Sequence, residues 1–540
     1  MKRPLRLSKS MLAFMLLLIA LSIGVGVYIA SCTQFAPWGY SDSAAFFSAA
    51  RNLASIHGVS VSMPDLSYSP LTLHAPLFPM LLSVFAKLNI DLINASRFLD
   101  IFFASLFVFL SGWLFFKITG QWVAAILFAL ASAISAPLAS LFTSIMSEPL
   151  AMLLGIPGIL FLILGVKRGS LKWIIVGGVL GGLAFITRFA FAALSAAGFL
   201  TILIFSDAAF KKRGLWALIY TFLSGLPMLL WAGIQSLERT TTGGRSAIFN
   251  SSTPAKIVEA IRTAYSTLKY WFPYRTGMIP GIRADFFTPV LAVLFLLLIA
   301  AAFAVTIRRI RRKEKPEAGF IVTVSFMLYI ACYFVVLVAS YAFSTVIIDI
   351  NARMLAPLIP AVVGMLIGAA ISIGSLSNRV LLSSGLALFV SLFFVVFNTI
   401  PLKEYLVSTG NYSGGYASRA WRNASIFGQI DLLPTDAILV SNAPDAVLFY
   451  TNRYPYCLAE SKEDGGCYPV SSLGDLTSTL ENQCAAAIVF PAGRADAYES
   501  YADPITQESA DSLKSQHYLF YDGEDGYILF LNQCDLKNPG

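Results

Sequence analysis

MKRPLRLSKSMLAFMLLLIALSIGVGVYIAS, residues 1–31, sets Lys2, Arg3, Arg6 and Lys9 ahead of an apolar run from Met11 to Ser31. A helix needs about 20 apolar residues to cross the hydrocarbon core, so this run reads as a membrane span. Lysine and arginine collect on the cytoplasmic side of a span, which puts the N-terminus inside and the residues after Ser31 outside. Ala30 and Ser31 end the run with small side chains. No clear secretory cleavage pattern goes with them, and Leu12–Ala30 is long enough to remain as an anchor.

The rest of the 540 residues repeats the pattern. The chain is 57% hydrophobic and 13% charged, which excludes a soluble globular protein and suits one that crosses the bilayer many times. Apolar runs follow at about 93–116, 121–139, 148–166, 171–187, 189–206, 215–235, 286–307, 319–340, 354–374 and 380–400, making about eleven spans in all. The net charge of +8 is gathered in short clusters: Lys117, Lys167/Arg168/Lys172, Lys211/Lys212/Arg213, Arg308 to Lys315, and Arg379. Each cluster falls on the side of the N-terminus, so the charge reads as membrane orientation and no nucleic-acid partner is implied. Leu77–Phe85 is too short to cross and reads as an interfacial or re-entrant helix.

This count leaves residues 1–401 as a membrane domain with outer loops 32–92 and 236–285, and residues 402–540 outside the membrane. The tail has a different character. Ala437–Val440, Ala487–Phe490 and Tyr527–Leu531 are short β-rich runs, with helices expected at 471–483 and 504–515. A small extracytoplasmic α/β domain follows from that alternation. It holds Cys457, Cys467, Cys484 and Cys534, which either pair as two disulfides or stay free. Tyr412, Tyr416, Trp421 and Tyr456 suit either stacking on sugar rings or a plain folded core.

The candidate chemistry starts just outside the first span, in Gly39-Tyr40-Ser41-Asp42-Ser43-Ala44-Ala45-Phe46-Phe47. Ser41 or Asp42 is set to cap a helix running to about Ile56, with Phe46, Ala49, Ala50 and Leu53 on one face. A helix N-terminus favours an ionised carboxylate, so Asp42 is a candidate proton acceptor; the plainer reading makes it only the cap. Asp100, one turn into a span, is expected to pair with Arg97. No His/Cys spacing suits zinc, no glycine-rich loop suits a nucleotide phosphate, and no Gly-x-Ser-x-Gly elbow is present.

Four further elements follow Asp42 in order: His74-Ala75-Pro76-Leu77-Phe78-Pro79, Ser147-Glu148-Pro149, Thr187-Arg188-Phe189, and Arg353-Met354-Leu355-Ala356-Pro357-Leu358-Ile359-Pro360. With the acid of the first outer loop, this series resembles the GT-C glycosyltransferases, more narrowly the protein O-mannosyltransferase and aminoarabinose-transferase relatives. The likeness covers roughly residues 1–400. It implies a multi-span α-helical GT-C-like membrane protein in the cell membrane, which moves a sugar from a polyprenyl-phosphate donor to an acceptor it does not identify. Asp42 is then the general base of an inverting transfer. Arg188, Arg353, His74, Glu148, Lys269 and Arg275 are then the residues that bind donor phosphate or substrate. No cofactor is firmly implied: many relatives carry a second acid after the first, which a divalent metal would use, and here Ser43 follows Asp42. The rival functions are a transporter or flippase of lipid-linked sugars and a receptor worked by the α/β tail. Against the first, polar residues crowd the outer edge and not mid-membrane, and no repeated halves are evident.

Overall fold

Apolar side chains that cannot stay in water and backbone groups that must be satisfied inside lipid together force the apolar runs of the first 400 residues into helices. A computed structural model of the chain describes residues 9–237, 253–268, 284–343, 350–374, 380–409, 414–459, 468–470, 484–490 and 505–532. Lys269, Arg275 and the expected helix at 471–483 lie outside these residues.

The chain begins with α1 (Lys9–Cys32), α2 (Ser41–Ala54), an antiparallel hairpin of β1 (Ser60–Ser62) and β2 (Tyr68–Pro70), and α3 (Leu77–Lys87). Then come α4 (Leu92–Thr119), α5 (Trp122–Ala133), α6 (Ala136–Phe142), α7 (Glu148–Arg168), α8 (Leu171–Thr187), a 3-10 turn at Phe189–Ala192, α9 (Ala193–Phe205) and α10 (Phe210–Leu237). After these follow α11 (Thr253–Leu268), α12 (Ala284–Arg311), α13 (Ala318–Phe343), the short α14 (Ala352–Leu355), α15 (Ile359–Gly374) and α16 (Val380–Thr409).

Among the described residues eight helices are long and apolar enough to cross a membrane, and α5 with α6, bent by 67° at their break, makes a ninth if counted as one span. The chain is a multi-pass membrane protein. The stretches Leu171–Thr187 and Phe189–Phe205 are apolar but shorter, so eleven spans are reached only if both of these also cross. Helix α3 is apolar and only 11 residues long, in keeping with its reading as a non-crossing element.

Small residues let the helices approach closely, the usual device where lipid offers no hydrophobic drive to association. In the crossing of α13 and α15, a Cβ on Gly368 would stand 2.7 Å from the Gly319 carbonyl oxygen, and one on Gly319 would stand 2.6 Å from that of Gly368. At one end of the bundle the cationic turns meet. Lys167 Nζ donates to the Ile118 carbonyl there, and Lys315 pairs with Asp207 at 2.7 Å. The other end carries the start of α7 and the end of α8.

At that second end sits the tail domain. Its six-stranded sheet has the order β5-β4-β3-β6-β8-β7, from β3 (Ile438–Ser441), β4 (Tyr456–Ala459), β5 (Tyr468–Pro469), β6 (Ala485–Val489), β7 (Tyr518–Gly523) and β8 (Gly526–Phe530). The first four strands are parallel, and β8 turns antiparallel to both β6 and β7. Strands β3, β6 and β8 are buried along their whole length, which is why they read as unbroken apolar runs instead of alternating ones. The domain also carries α17 (Arg419–Arg422), α18 (Ile426–Ile430), α19 (Pro444–Thr451) and α20 (Gln507–Gln516), the last starting three residues later and ending one residue later than the helix expected at 504–515. Cys457 and Cys484 are each in a disulfide, whereas Cys32 and Cys332 are free thiols; Cys467 and Cys534 lie outside the described residues.

Residues 38 and 39 stitch the parts together. Trp38 N–H donates to Thr143 O at 2.8 Å and Trp38 O accepts from Ile145 N–H at 2.9 Å, tying the loop before α2 to the loop before α7. Gly39 and Gly415 form an isolated parallel bridge, and Tyr416 N–H donates to Gly39 O at 3.0 Å. Gly415 has φ +61°, and a Cβ there would stand 1.8 Å from Gly39 O, so only glycine fits this seam. Helix α19 of the tail then lies along α2. Phe449 stacks on Phe47 with ring centroids 4.7 Å apart, Arg51 Nη1 donates to Phe449 O at 2.8 Å, and Asn452 Nδ2 donates to Asn52 Oδ1 at 2.8 Å.

Candidate active site

The helix that carries Asp42 starts one residue earlier than the sequence suggested. Tyr40 is the N-cap of α2, and its backbone N–H donates to Ser43 Oγ at 2.9 Å. The Ser43 hydroxyl in turn donates to Ile145 O at 2.7 Å. Neither Ser41 nor Asp42 therefore caps the helix. The Asp42 carboxylate, in the first turn and about a third exposed, is left for side-chain partners.

Those partners come from distant parts of the chain. Arg353, on the short helix α14, donates from Nη2 to Asp42 Oδ2 at 2.7 Å. Its Nε donates to Glu148 Oε1, and Arg188 Nη1 reaches the same Glu148 oxygen at 2.9 Å. Glu148 is fully buried, at 0% exposure, and Ser147 Oγ adds a longer contact to its other oxygen at 3.4 Å. Arg188 stands in extended backbone just after α8, where the chain breaks before the 3-10 turn, and its Nη2 donates to Met354 Sδ. The two acids and two arginines thus form one chain, Asp42–Arg353–Glu148–Arg188, with no net charge. Each is matched by an opposite partner, as buried charges must be.

His74 completes the group from the loop before α3. Its Nε2 lies 3.9 Å from Asp42 Oδ1, too far for a hydrogen bond, and its ring meets Phe46 edge-on at 5.0 Å. Burial pushes the His74 pKa below its ordinary 6.5 against the pull of Asp42, so the ring is mainly neutral at pH 7. Burial by itself would raise the Asp42 pKa, but His74, Arg353 and Arg188 together outweigh it and hold the carboxyl below its usual range. With His74 neutral, Arg353 is the partner that matters at pH 7.

Asp42, His74, Arg188 and Arg353 line one cavity of about 290 Å³, with Ser147, Thr187, Asn351 and Met354 also on its wall and Leu73, Ala75, Phe189, Ala190 and Leu337 supplying apolar surface. Glu148 lies just beneath that wall. Of the residues singled out from the sequence, these five are brought together; Lys269 and Arg275 are outside the described residues.

Several other readings change. Asp100 does not pair with Arg97: it is buried with Oδ2 unpartnered, while Arg97 Nη2 donates to Ala30 O at 3.2 Å. Side chains three apart on a helix are close enough to meet, but the Ala30 carbonyl of the neighbouring α1 took the arginine instead. Tyr416 and Trp421 are not sugar platforms. They are 4% and 0% exposed and pack on each other at 6.0 Å, with Phe490 4.9 Å from Trp421. Two nearby contributors are not singled out by the sequence. Tyr40 lies with its ring 5.9 Å from the Arg353 guanidinium, and Tyr333 donates to Met354 O at 3.0 Å and so fixes the turn that carries Arg353. Tyr40 is two residues from Asp42, so its place in the chain is a local signal; Tyr333 lies within a span and has none.

No protein-family model and no curated protein sequence matches the chain. Solved structures do. The oligosaccharyltransferase of Archaeoglobus fulgidus in its apo form superposes over 96% of this chain and 74% of its own, at 13% identity and a TM-score of 0.50. AglB of the same organism, in complex with an inhibitory peptide and a dolichol-phosphate, covers 88% and 69% at 12% identity and a TM-score of 0.51. The chain has the GT-C fold. ArnT from Cupriavidus metallidurans in the apo state is also similar, with 14% identity over 97% of this chain and 98% of its own, but its TM-score of 0.45 is too low to carry weight.

Within this GT-C fold the acids do not suit a divalent metal. Among the described residues no group of three or more His, Cys, Asp and Glu side chains is placed to hold one. Asp42 and Glu148 are joined through the Arg353 guanidinium, and the residue after Asp42 is Ser43, whose hydroxyl is spent on Ile145 O. A metal between the two carboxylates would have to displace a cation that already matches them.

Proposed function

We propose that this protein is a membrane glycosyltransferase that moves a sugar from a polyprenyl-phosphate donor to a hydroxyl or amine acceptor, with inversion, on the extracytoplasmic face. One observation carries the reading: a carboxylate and two arginines from separate elements meet on a cavity at the end of the bundle opposite the cationic turns. That chemistry suits a reaction in which a proton leaves one substrate while negative charge gathers on a phosphate. The GT-C fold supports it, and the dolichol-phosphate held by AglB is a lipid phosphate of the same chemical class as the proposed donor. Gathering of the cationic turns at the far end supports a cytoplasmic N-terminus and an extracytoplasmic cavity and tail domain.

In this mechanism the acceptor heteroatom attacks the anomeric carbon. Its proton passes to Asp42, the bond from that carbon to the phosphate oxygen breaks, and the electron pair leaves with the lipid phosphate. Arg188 and Arg353 match the charge that builds there. A single displacement of this kind inverts the anomeric centre. His74, neutral and edge-on to Phe46, borders Asp42 and shapes the space for the acceptor, and Glu148 holds both arginines in place.

The test is to incubate the purified protein with a panel of polyprenyl-phosphate sugars and follow loss of donor. The wild type should consume one of them, and Asp42→Asn should lower that rate by at least about a hundredfold while its elution profile and thermal unfolding stay close to wild type. Consumption by Asp42→Asn at the wild-type rate would remove Asp42 as the base. Wild-type silence across a validated panel would favour transport over transfer.

A further inference from the structure

The proposed base is tied up in the resting protein. Asp42 spends one oxygen on Arg353, and a carboxylate so paired is a weaker proton acceptor than a free one. Resting on the donor reading above, we infer that the donor phosphate takes Arg353 from Asp42, so that the base is released only when a donor is bound.

The geometry makes the exchange one-sided. Arg353 is held at two points, Nε on Glu148 and Nη2 on Asp42. Glu148 has no exposed surface, so an incoming ligand has no access to that anchor; Asp42 is 29% exposed and Arg353 28%, and both face the cavity. The remaining guanidinium nitrogen, Nη1, makes no hydrogen bond to any described residue. Arg188 also lines the cavity, but its Nη1 and Nη2 are held by Glu148 and Met354 and its Nε is buried. A phosphate in the cavity therefore meets the open Nη1 of Arg353 and competes with Asp42 alone. Turning about the Glu148 anchor carries Nη2 from the carboxylate to the phosphate without breaking the buried pair.

Charge movement during transfer runs the same way. At rest Asp42, Glu148, Arg188 and Arg353 sum to zero. A phosphodiester donor adds one negative charge. As the acceptor proton reaches Asp42, the carboxylate loses its charge and the departing phosphate gains a second one. The negative charge thus moves from one side of Arg353 to the other, and a guanidinium hinged between them follows it. The other ionisable groups near Asp42 are Arg188, His74 and Glu148, and Asp445 in the first turn of α19, held by Tyr454.

The exchange is tested with polyprenyl phosphate, which lacks the sugar. Carbodiimide-driven amidation of Asp42, quantified by peptide mass spectrometry on protein in nanodiscs, is followed against pH with and without that lipid. In the wild type the labelling midpoint should rise by about 1–3 pH units when the lipid binds, the span associated with losing an arginine neighbour. In Arg353→Gln the midpoint should be raised already, and the lipid should add less than half as much. Should that variant fail to fold, Arg353→Lys serves, because a single ammonium cannot span Glu148 and Asp42 as a guanidinium does; its lipid-induced rise should also be smaller than the wild-type rise. Equal rises in wild type and variant would mean that the phosphate acts through space only and would overturn the exchange. So would binding with no rise in the wild type. Failure of polyprenyl phosphate to bind at all, measured separately with radiolabelled lipid, would instead sink the donor reading.

Discussion

Replacing Glu148 by glutamine tests the anchor on which the whole cluster depends. The carboxylate is fully buried and accepts from two guanidiniums, Arg353 through Nε and Arg188 through Nη1 at 2.9 Å. Glutamine keeps the shape and one acceptor oxygen but removes the charge, leaving two part-buried cations with Asp42 as the one remaining carboxylate of the cluster. Removing one partner of a buried ion pair costs about 3–5 kcal/mol. Because the amide retains an acceptor, we expect the lower end, about 3 kcal/mol, or roughly a hundredfold in the folding equilibrium. The same change turns a neutral cluster into one with a net positive charge, so lipid phosphate should bind the variant more tightly. Wild type gains from the same lipid, so the gap closes only by the difference in affinity, about 1.4 kcal/mol for each tenfold tighter binding by the variant. The assay is thermal unfolding in detergent with and without polyprenyl phosphate. Glu148→Gln should unfold well below wild type in its absence, and the gap between the two proteins should narrow when both are saturated with the lipid. A variant as stable as wild type, or one whose gap the lipid leaves unchanged, would refute the view that Glu148 is the charged anchor of both arginines.

Two further outcomes follow from packing and protonation. Gly368→Ala should destabilise by about 1–3 kcal/mol, because its Cβ would press on the Gly319 backbone, which cannot rotate away; Gly385→Ala, with nothing within 4 Å, should be neutral or slightly stabilising. Comparing the two by thermal unfolding in one detergent separates crowding from helix propensity. Burial holds His74 below 6.5, so the unfolded chain takes up its proton first and the folded state loses stability as pH falls below that value. His74→Gln should therefore flatten the decline in unfolding temperature between pH 7 and pH 5. His517, whose pKa burial also lowers, keeps its share of the slope in both proteins, so identical slopes would show that His74 is not held neutral.

The helices were legible because lipid leaves so little choice. Twenty apolar residues in a row must be helical in a bilayer, and each expected run has a helical counterpart among the described residues. The buried strands β3, β6 and β8 were legible for a related reason, since strands covered on both faces need no polar alternation. Span number was less legible. Length and apolarity say what can cross, but the break between α5 and α6 and the arginine between α8 and α9 depend on packing with other segments. Aromatic residues of the tail misled for the opposite reason: Trp421 suits a sugar platform and a core equally well, and only the contacts with Phe427 and Phe490 decide.

Residue type and order were enough to single out Asp42, His74, Glu148, Arg188 and Arg353, because a charge beside an apolar run stands out against its surroundings. Their pairing was not. Asp42 and Arg353 are 311 residues apart, and Glu148 and Arg353 are 205 apart, so no local pattern says which acid meets which base. Read from the sequence, the two arginines looked like free cations awaiting a phosphate. In the folded chain both already bind carboxylates, and that alters what phosphate binding must do. A lipid phosphate cannot simply fall into a positive pocket, because the cluster has no net charge. It gains its hold by displacing the one carboxylate that faces the cavity, and that carboxylate is the proposed base. Affinity for the donor and basicity toward the acceptor are then two ends of a single exchange. A substitution that tightens Arg353 on Asp42 should weaken both together, whereas a separate phosphate pocket would let them vary independently.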